Sequence, residues 1–103
     1  MRERSPSVSH EAEQVREFRE DPERALEYLN AAVEVAFEQD DPELVLTALS
    51  TVAKATGMTR VASRTLLRRE SLHRMLSKRG NPEWNSLFRV LKALHLRPKF
   101  AST

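Results

Sequence analysis

The side chains best able to do chemistry in this chain are cations gathered between Met58 and Arg79. Seven basic residues (Arg60, Arg64, Arg68, Arg69, Arg74, Lys78 and Arg79) stand there beside one acid, Glu70. Leu72, Met75 and Leu76 recur at i, i+3 and i+4, the spacing of one helical face. Arg69, Glu70, His73 and Arg74 then occupy the opposite face. A helix reading the major groove needs that division, with apolar residues holding it to a scaffold and long polar side chains reaching base edges. The chemistry implied is recognition of double-stranded DNA. Its candidates are Arg68, Arg69, Glu70, Ser71, His73 and Arg74 on the reading helix, with Arg60, Lys78 and Arg79 near phosphates.

Such a helix has to be positioned by others. Val61 and Ala62 form the inner face of a short preceding helix, and Leu67 fills the turn, so Met58–Leu76 reads as a helix-turn-helix. Ala62 is the small residue that lets the second helix cross the first closely, and Leu72 and Met75 follow at the expected offsets. The turn normally carries Gly four residues after this Ala, because the chain there goes left-handed. Leu66 stands at that position, so either Leu66 bears the strain or the turn is built differently. Arg68 replaces the Ser, Thr or Asp usual at the start of the second helix. The same pattern also fits an ordinary helical hairpin with a solvated basic face.

Composition bounds the rest. The chain has 103 residues, 40% of them hydrophobic, two Gly and no Cys. That suits one small all-α domain and excludes a disulfide framework or thiolate metal site. No run of 18 apolar residues is present, so no transmembrane helix is expected. The opening Met-Arg-Glu-Arg-Ser-Pro-Ser lacks an apolar segment behind it, so no secretory leader is expected, and a cytoplasmic protein follows. The formal net charge of +2 hides a division: residues 1–50 carry 5 basic and 13 acidic side chains, and residues 51–103 carry 12 and 2. Opposite charge on two halves suggests two partners, or two halves that attract each other within one fold.

Along the chain, residues 1–20 read as a polar N-terminal arm, helical in part from about Glu11 to Glu20 or disordered. Residues 21–96 read as the helical domain and 97–103 as a tail. Asp21-Pro22-Glu23 and Asp41-Pro42-Glu43 each open a helix, with Asp as N-cap, Pro at the first helical position and an acid in the first turn. Leu26, Leu29, Val33, Ala36 and Phe37 follow the first signal at helical spacing. Val45, Leu49, Val52 and Ala53 follow the second, in a stripe wide enough for burial on two sides. Gly57 ends that helix and Thr59 is the expected N-cap of the next. Ser77–Pro82 is a loop whose Lys78 and Arg79 can clamp a phosphate, aided by backbone N–H groups. Asn85 is the expected cap of a last helix that returns Leu87, Phe88, Leu91 and Leu94 to the core, with Arg89 and Lys92 outward. Trp84 is expected to pack on the domain rather than stack on a base. Pro98 breaks the helix, and Arg97–Phe100 forms a short extended arm.

Catalytic patterns are missing. There is no Gly-rich phosphate loop, and His10, His73 and His95 are too far apart in sequence for a local metal motif. Ser71 and His73, two apart on a helix, do not face each other. An enzyme is not expected, nor any cofactor or metal.

Three stretches carry a likeness to a known family: Leu46–Met58, Arg68–Leu76, and Gly80–Leu96 with its Asn-Pro followed by Val-Leu-Lys-Ala-Leu. Tyr28-Leu29-Asn30 and Asp41–Leu44 extend it into the first half. In these residues the chain resembles the HigA-like, XRE-type helix-turn-helix antidote proteins of bacterial addiction modules. Members usually have Gly and Ser where this chain has Leu66 and Arg68. The resemblance implies an all-α domain of about five helices with a lambda-repressor-like helix-turn-helix. It implies a dimeric repressor of its own operon, bound to operator DNA, that neutralises a toxin of the RelE/ParE-like ribonuclease fold. The basic face of such a toxin suits the acidic first half. Glu20, Glu23 and Glu27 are then candidates for steering, with Phe18 and Tyr28 as exposed apolar anchors. The alternatives are a transcriptional regulator without a toxin, or a helical adaptor that has lost DNA binding, which the departures at Leu66 and Arg68 motivate. The outward parts of the last helix and the Arg97–Phe100 arm are the candidate dimer contact.

Overall fold

A computed structural model describes residues 6–103; the first five residues of the expected arm lie outside them. Six helices and no strand occur among the described residues: α1 (Pro6–Glu20), α2 (Pro22–Gln39), α3 (Glu43–Thr56), α4 (Met58–Thr65), α5 (Arg69–Met75) and α6 (Trp84–Ala93). The fold is all-helical, with one helix more than the five expected, because the N-terminal segment forms α1.

The central element is α3. Its Ala48, Leu49, Thr51, Val52, Ala53 and Ala55 are all buried, and it packs against α1, α2 and α4. Small residues let neighbours approach on several sides, which is what its wide apolar stripe predicts. Polar as it is, α1 does bury a face. Phe18 joins the core, Lys54 pairs with Glu11 at 3.0 Å, and the Arg19 guanidinium donates to the carbonyls of Ala55 (3.1 Å) and Lys54 (3.2 Å) at the end of α3. A Glu17–Arg24 pair at 2.7 Å ties α1 to the start of α2. Too polar to collapse alone, α1 is held by docking on α3.

The expected helix starts are corrected in detail. Asp21 stands at the N-cap of α2, but its side chain bonds no backbone N–H; its carbonyl accepts from Arg24 N–H instead. The second signal starts its helix later than expected, with Pro42 rather than Asp41 at the cap. Thr59 is not a cap, since α4 begins at Met58, directly from Gly57. Gly57 (φ 111°) therefore closes α3, its N–H bonding Ala53 O, and opens α4, its carbonyl accepting from Val61 N–H. That conformation suits Gly alone. Asn85 is likewise interior, because α6 starts at Trp84 with Glu83 at the cap.

Three helices end on non-glycine residues in the left-handed region: Asp40 (φ 55°) after α2, Leu66 (φ 63°) after α4 and His95 (φ 61°) after α6. After α6, Leu96 N–H bonds Leu91 O and His95 N–H bonds Lys92 O, the pairing that satisfies a helix's last carbonyls. Pro98 is thus not what stops α6, which has already turned at His95. The inward face of α6 is centred on Val90 and Ala93, with Leu87, Leu91 and Leu94 partly buried against the core. Phe88 is not returned to the core; it is 47% exposed, with the ring of Trp84 edge-on to it at 5.8 Å. Trp84, 60% exposed, does not pack on the domain as expected.

Candidate nucleic-acid interface

Between α4 and α5 the chain turns through Leu66, Leu67 and Arg68, and the turn is tightly held. The buried Thr65 hydroxyl donates to Val61 O at 2.8 Å and accepts from Leu67 N–H at 3.2 Å. Leu66 N–H bonds Ala62 O at 2.9 Å. Leu66 thus takes the left-handed conformation in which Gly would be expected, and its side chain is 89% exposed. Of the two alternatives, Leu66 bears the strain of the left-handed conformation itself. Arg68 is extended (ψ 149°) and caps α5 without a side-chain hydrogen bond, as its type predicts.

Two arginines lock α4 to α6 reciprocally. Arg64 donates to Ala93 O at the end of α6 (2.8 Å), and Arg89 donates to Thr65 O at the end of α4 (3.4 Å). A cation at a helix C-terminus meets both orphan carbonyls and the negative end of the helix dipole. Neither arginine was separated by sequence from the other basic residues. Their one local signal is a place near the end of a helix, Arg64 one residue before the end of α4 and Arg89 four before the end of α6.

With α4 fixed, α5 buries Leu72 completely and Met75 in part, and Leu76, the residue that closes the helix, is buried completely too. Its other face carries Arg69, Glu70, His73 and Arg74, all exposed, with Arg68 exposed beside them and Ser71 half-buried. Arg60 on α4 and Lys78 and Arg79 in the following loop are exposed too. Among the described residues the ion pairs are Arg24–Glu17 and Lys54–Glu11, so none of these cations is neutralised by a carboxylate. In the loop, Ser77 Oγ donates to Arg74 O (2.6 Å), and Gly80 N–H is committed to Ser77 O and so not free for a phosphate. Gly80 is required sterically: a Cβ there would overlap the Met75 carbonyl oxygen.

The acidic candidates divide. Glu20, Glu23 and Glu27 are exposed, but Phe18 is not an exposed anchor. It is 6% accessible in the core, its ring 5.0 Å from that of Tyr28, which is half-buried. Their spacing gave no hint of this, because the α1–α2 turn brings them together. Among the described residues the exposed large apolar groups of this half are Leu26, Val33, Val35 and Phe37 instead. Among the described residues no group of three or more His, Asp or Glu is placed to hold a metal ion. None of their helices is long and apolar enough to cross a membrane.

Comparison with known proteins adds the family. An uncharacterized protein of Haemophilus influenzae (strain Rd) is 37% identical over 70 residues, which cover 68% of either chain. No solved structure matches. A family model described as "Probable addiction module antidote protein" matches residues 11–102, and the chain belongs to that family.

Proposed function

We propose that this protein is the antitoxin of a type II toxin–antitoxin module. It binds operator DNA as a helix-turn-helix repressor of its own operon, acts in the cytoplasm and neutralises a RelE/ParE-like toxin. Membership of the antidote family supports the toxin partner. The observation that carries the DNA reading is α5, a short helix held by Leu72 and Leu76 whose far face is exposed and, among the described residues, without carboxylate partners. In this reading α4 and α5 are the two helices of the motif. Arg69, Glu70, His73 and Arg74 reach base edges, flanked by Arg68 and Ser71, while Arg60, Lys78 and Arg79 meet phosphates.

The left-handed Leu66 supports this reading over an adaptor that has lost DNA binding, because Leu66 holds, at a cost in strain, the left-handed conformation that the motif asks of Gly. One recognition helix reads few base pairs, so a dimer on two half-sites about 34 Å apart is part of the proposal. The exposed Trp84 and Phe88 on α6, with Phe100 99% exposed beyond it, support a dimer contact there. The test is a titration against the promoter of its own operon and a scrambled duplex at several salt concentrations. Tight promoter binding with a steep salt dependence is expected. Equal affinity for both duplexes would overturn the repressor reading.

A further inference from the structure

The outer surface of α2 carries two parallel rows. One is Leu26, Asn30, Val33 and Phe37, at spacings of four, three and four, all exposed. At about 100° per residue they fall within about 60° of one another around the helix. The second is Glu23, Glu27, Glu34 and Glu38, also all exposed, about a quarter-turn further round. The side facing the protein is occupied by Ala25, Leu29 and Ala36, so the glutamate row and Phe37 are not what holds α2 in place, while Leu26 and Val33 are partly covered at the edge of that contact. Phe37 is 77% exposed, the most accessible large apolar residue on this helix. The row ends at a groove at each extremity. Leu26 lines one of about 750 Å³ beside the α3–α4 junction. Phe37 lines another of about 680 Å³ together with the apolar Val45, Leu46 and Leu87, the acids Asp40 and Asp41, and the cations Lys78 and Arg79.

We infer that this face of α2 is the toxin-binding surface, with Leu26, Val33 and Phe37 as anchors and the glutamate row as the steering edge. The inference rests on the toxin reading above and commits to one occupant, a basic protein presenting an apolar groove rimmed by Lys or Arg. Charge decides among occupants. DNA and anionic lipid are repelled by the glutamate row. A second copy meeting α2 with α2 about a two-fold axis would bring two glutamate rows together. A second copy presenting its basic α6 would make a head-to-tail contact, which generates rings or filaments rather than a closed pair. A basic partner is attracted by the row and buries the anchors beside it.

The experiment measures binding of the intact chain to the purified product of the toxin gene beside its own, by surface plasmon resonance. Phe37→Ala and the double variant Leu26→Ala/Val33→Ala should each raise Kd about 30-fold or more. Glu27→Lys/Glu34→Lys should slow association about tenfold at low salt, converging with wild type at high salt. Promoter affinity should stay unchanged throughout, and the thermal midpoint should stay unchanged for the 77% exposed Phe37 and for the glutamate variants, which separates lost contact from lost fold; Leu26→Ala/Val33→Ala, whose side chains are partly covered, is compared with wild type well below its lowered midpoint. Undiminished toxin binding by the Phe37 and Leu26/Val33 variants overturns the inference and leaves the toxin reading standing. Failure of the wild-type chain to bind that protein overturns both. Sedimentation showing that Phe37→Ala dissociates a dimer, with toxin binding kept, assigns the face to self-association and overturns the inference alone.

Discussion

Replacing Leu66 by Gly should make the protein more stable, although it removes a leucine. Leu66 sits at φ 63°, ψ 26°, where a side chain crowds the backbone at a cost of about 1–2 kcal/mol. Its side chain is 89% exposed, so about a tenth of the roughly 1.5–3 kcal/mol available from burying a leucine is at stake. Gly also enlarges the unfolded ensemble, which opposes the gain by about 0.5–1 kcal/mol. The balance is a stabilisation of about 0.5 kcal/mol, or about 2–4 °C in Tm for a domain of this size. Two further substitutions isolate the cause. Leu66→Ala keeps the Cβ and hence the strain, so its midpoint should stay close to wild type. Leu66→Asn should fall between, because Asn tolerates this region through local hydrogen bonding. Differential scanning calorimetry of the four proteins gives the ranking. A lower midpoint for Leu66→Gly, or a gain for Leu66→Ala equal to that for Gly, would refute the strained turn.

Other outcomes follow from the same structure. Arg74→Ala should weaken operator binding by about 1–3 kcal/mol and flatten base preference at one position, whereas Lys78→Ala should weaken all sequences alike and lower the salt slope by about 1; competition titrations separate the two. Gly80→Ala should destabilise the fold by about 1–3 kcal/mol in a urea melt, because the new methyl meets the backbone carbonyl of Met75. Arg64→Ala should cost about 1 kcal/mol through the orphaned Ala93 carbonyl, and Arg64→Lys should recover little of it if the guanidinium geometry matters. Truncation after Leu96, or Trp84→Ala/Phe88→Ala, should shift the protein toward monomer in analytical ultracentrifugation if the α6 face and the Arg97–Phe100 arm make the dimer contact.

The periodicity of the sequence determined the helices and their inner faces wherever burial is a one-dimensional pattern. Leu72 and Leu76 on α5, the broad stripe of α3 and the helix-ending role of Gly57 could all be read from residue type and spacing. So could the concentration of cations on the exposed side of α5, because a helix that buries one face must present the other. The left-handed turn was half legible: the sequence marked Leu66 as the discordant residue, and only the folded turn, with Thr65 bridging Val61 and Leu67, decided that it bears the strain. What sequence could not supply depends on which helix covers which. Phe18 reads as a lone aromatic on a polar segment, yet docking of α1 buries it against Tyr28. Phe88 reads as a core residue and Trp84 as packed on the domain, yet α6 turns Val90 and Ala93 inward and leaves both aromatics exposed. Arg19, Arg64 and Arg89 look like any other surface cation, and their carbonyl partners lie 24 to 36 residues away. The spacing of apolar residues fixes the direction in which a helix prefers to be buried. It does not fix how much of that face a neighbour reaches, and that reach separates a core residue from a docking surface.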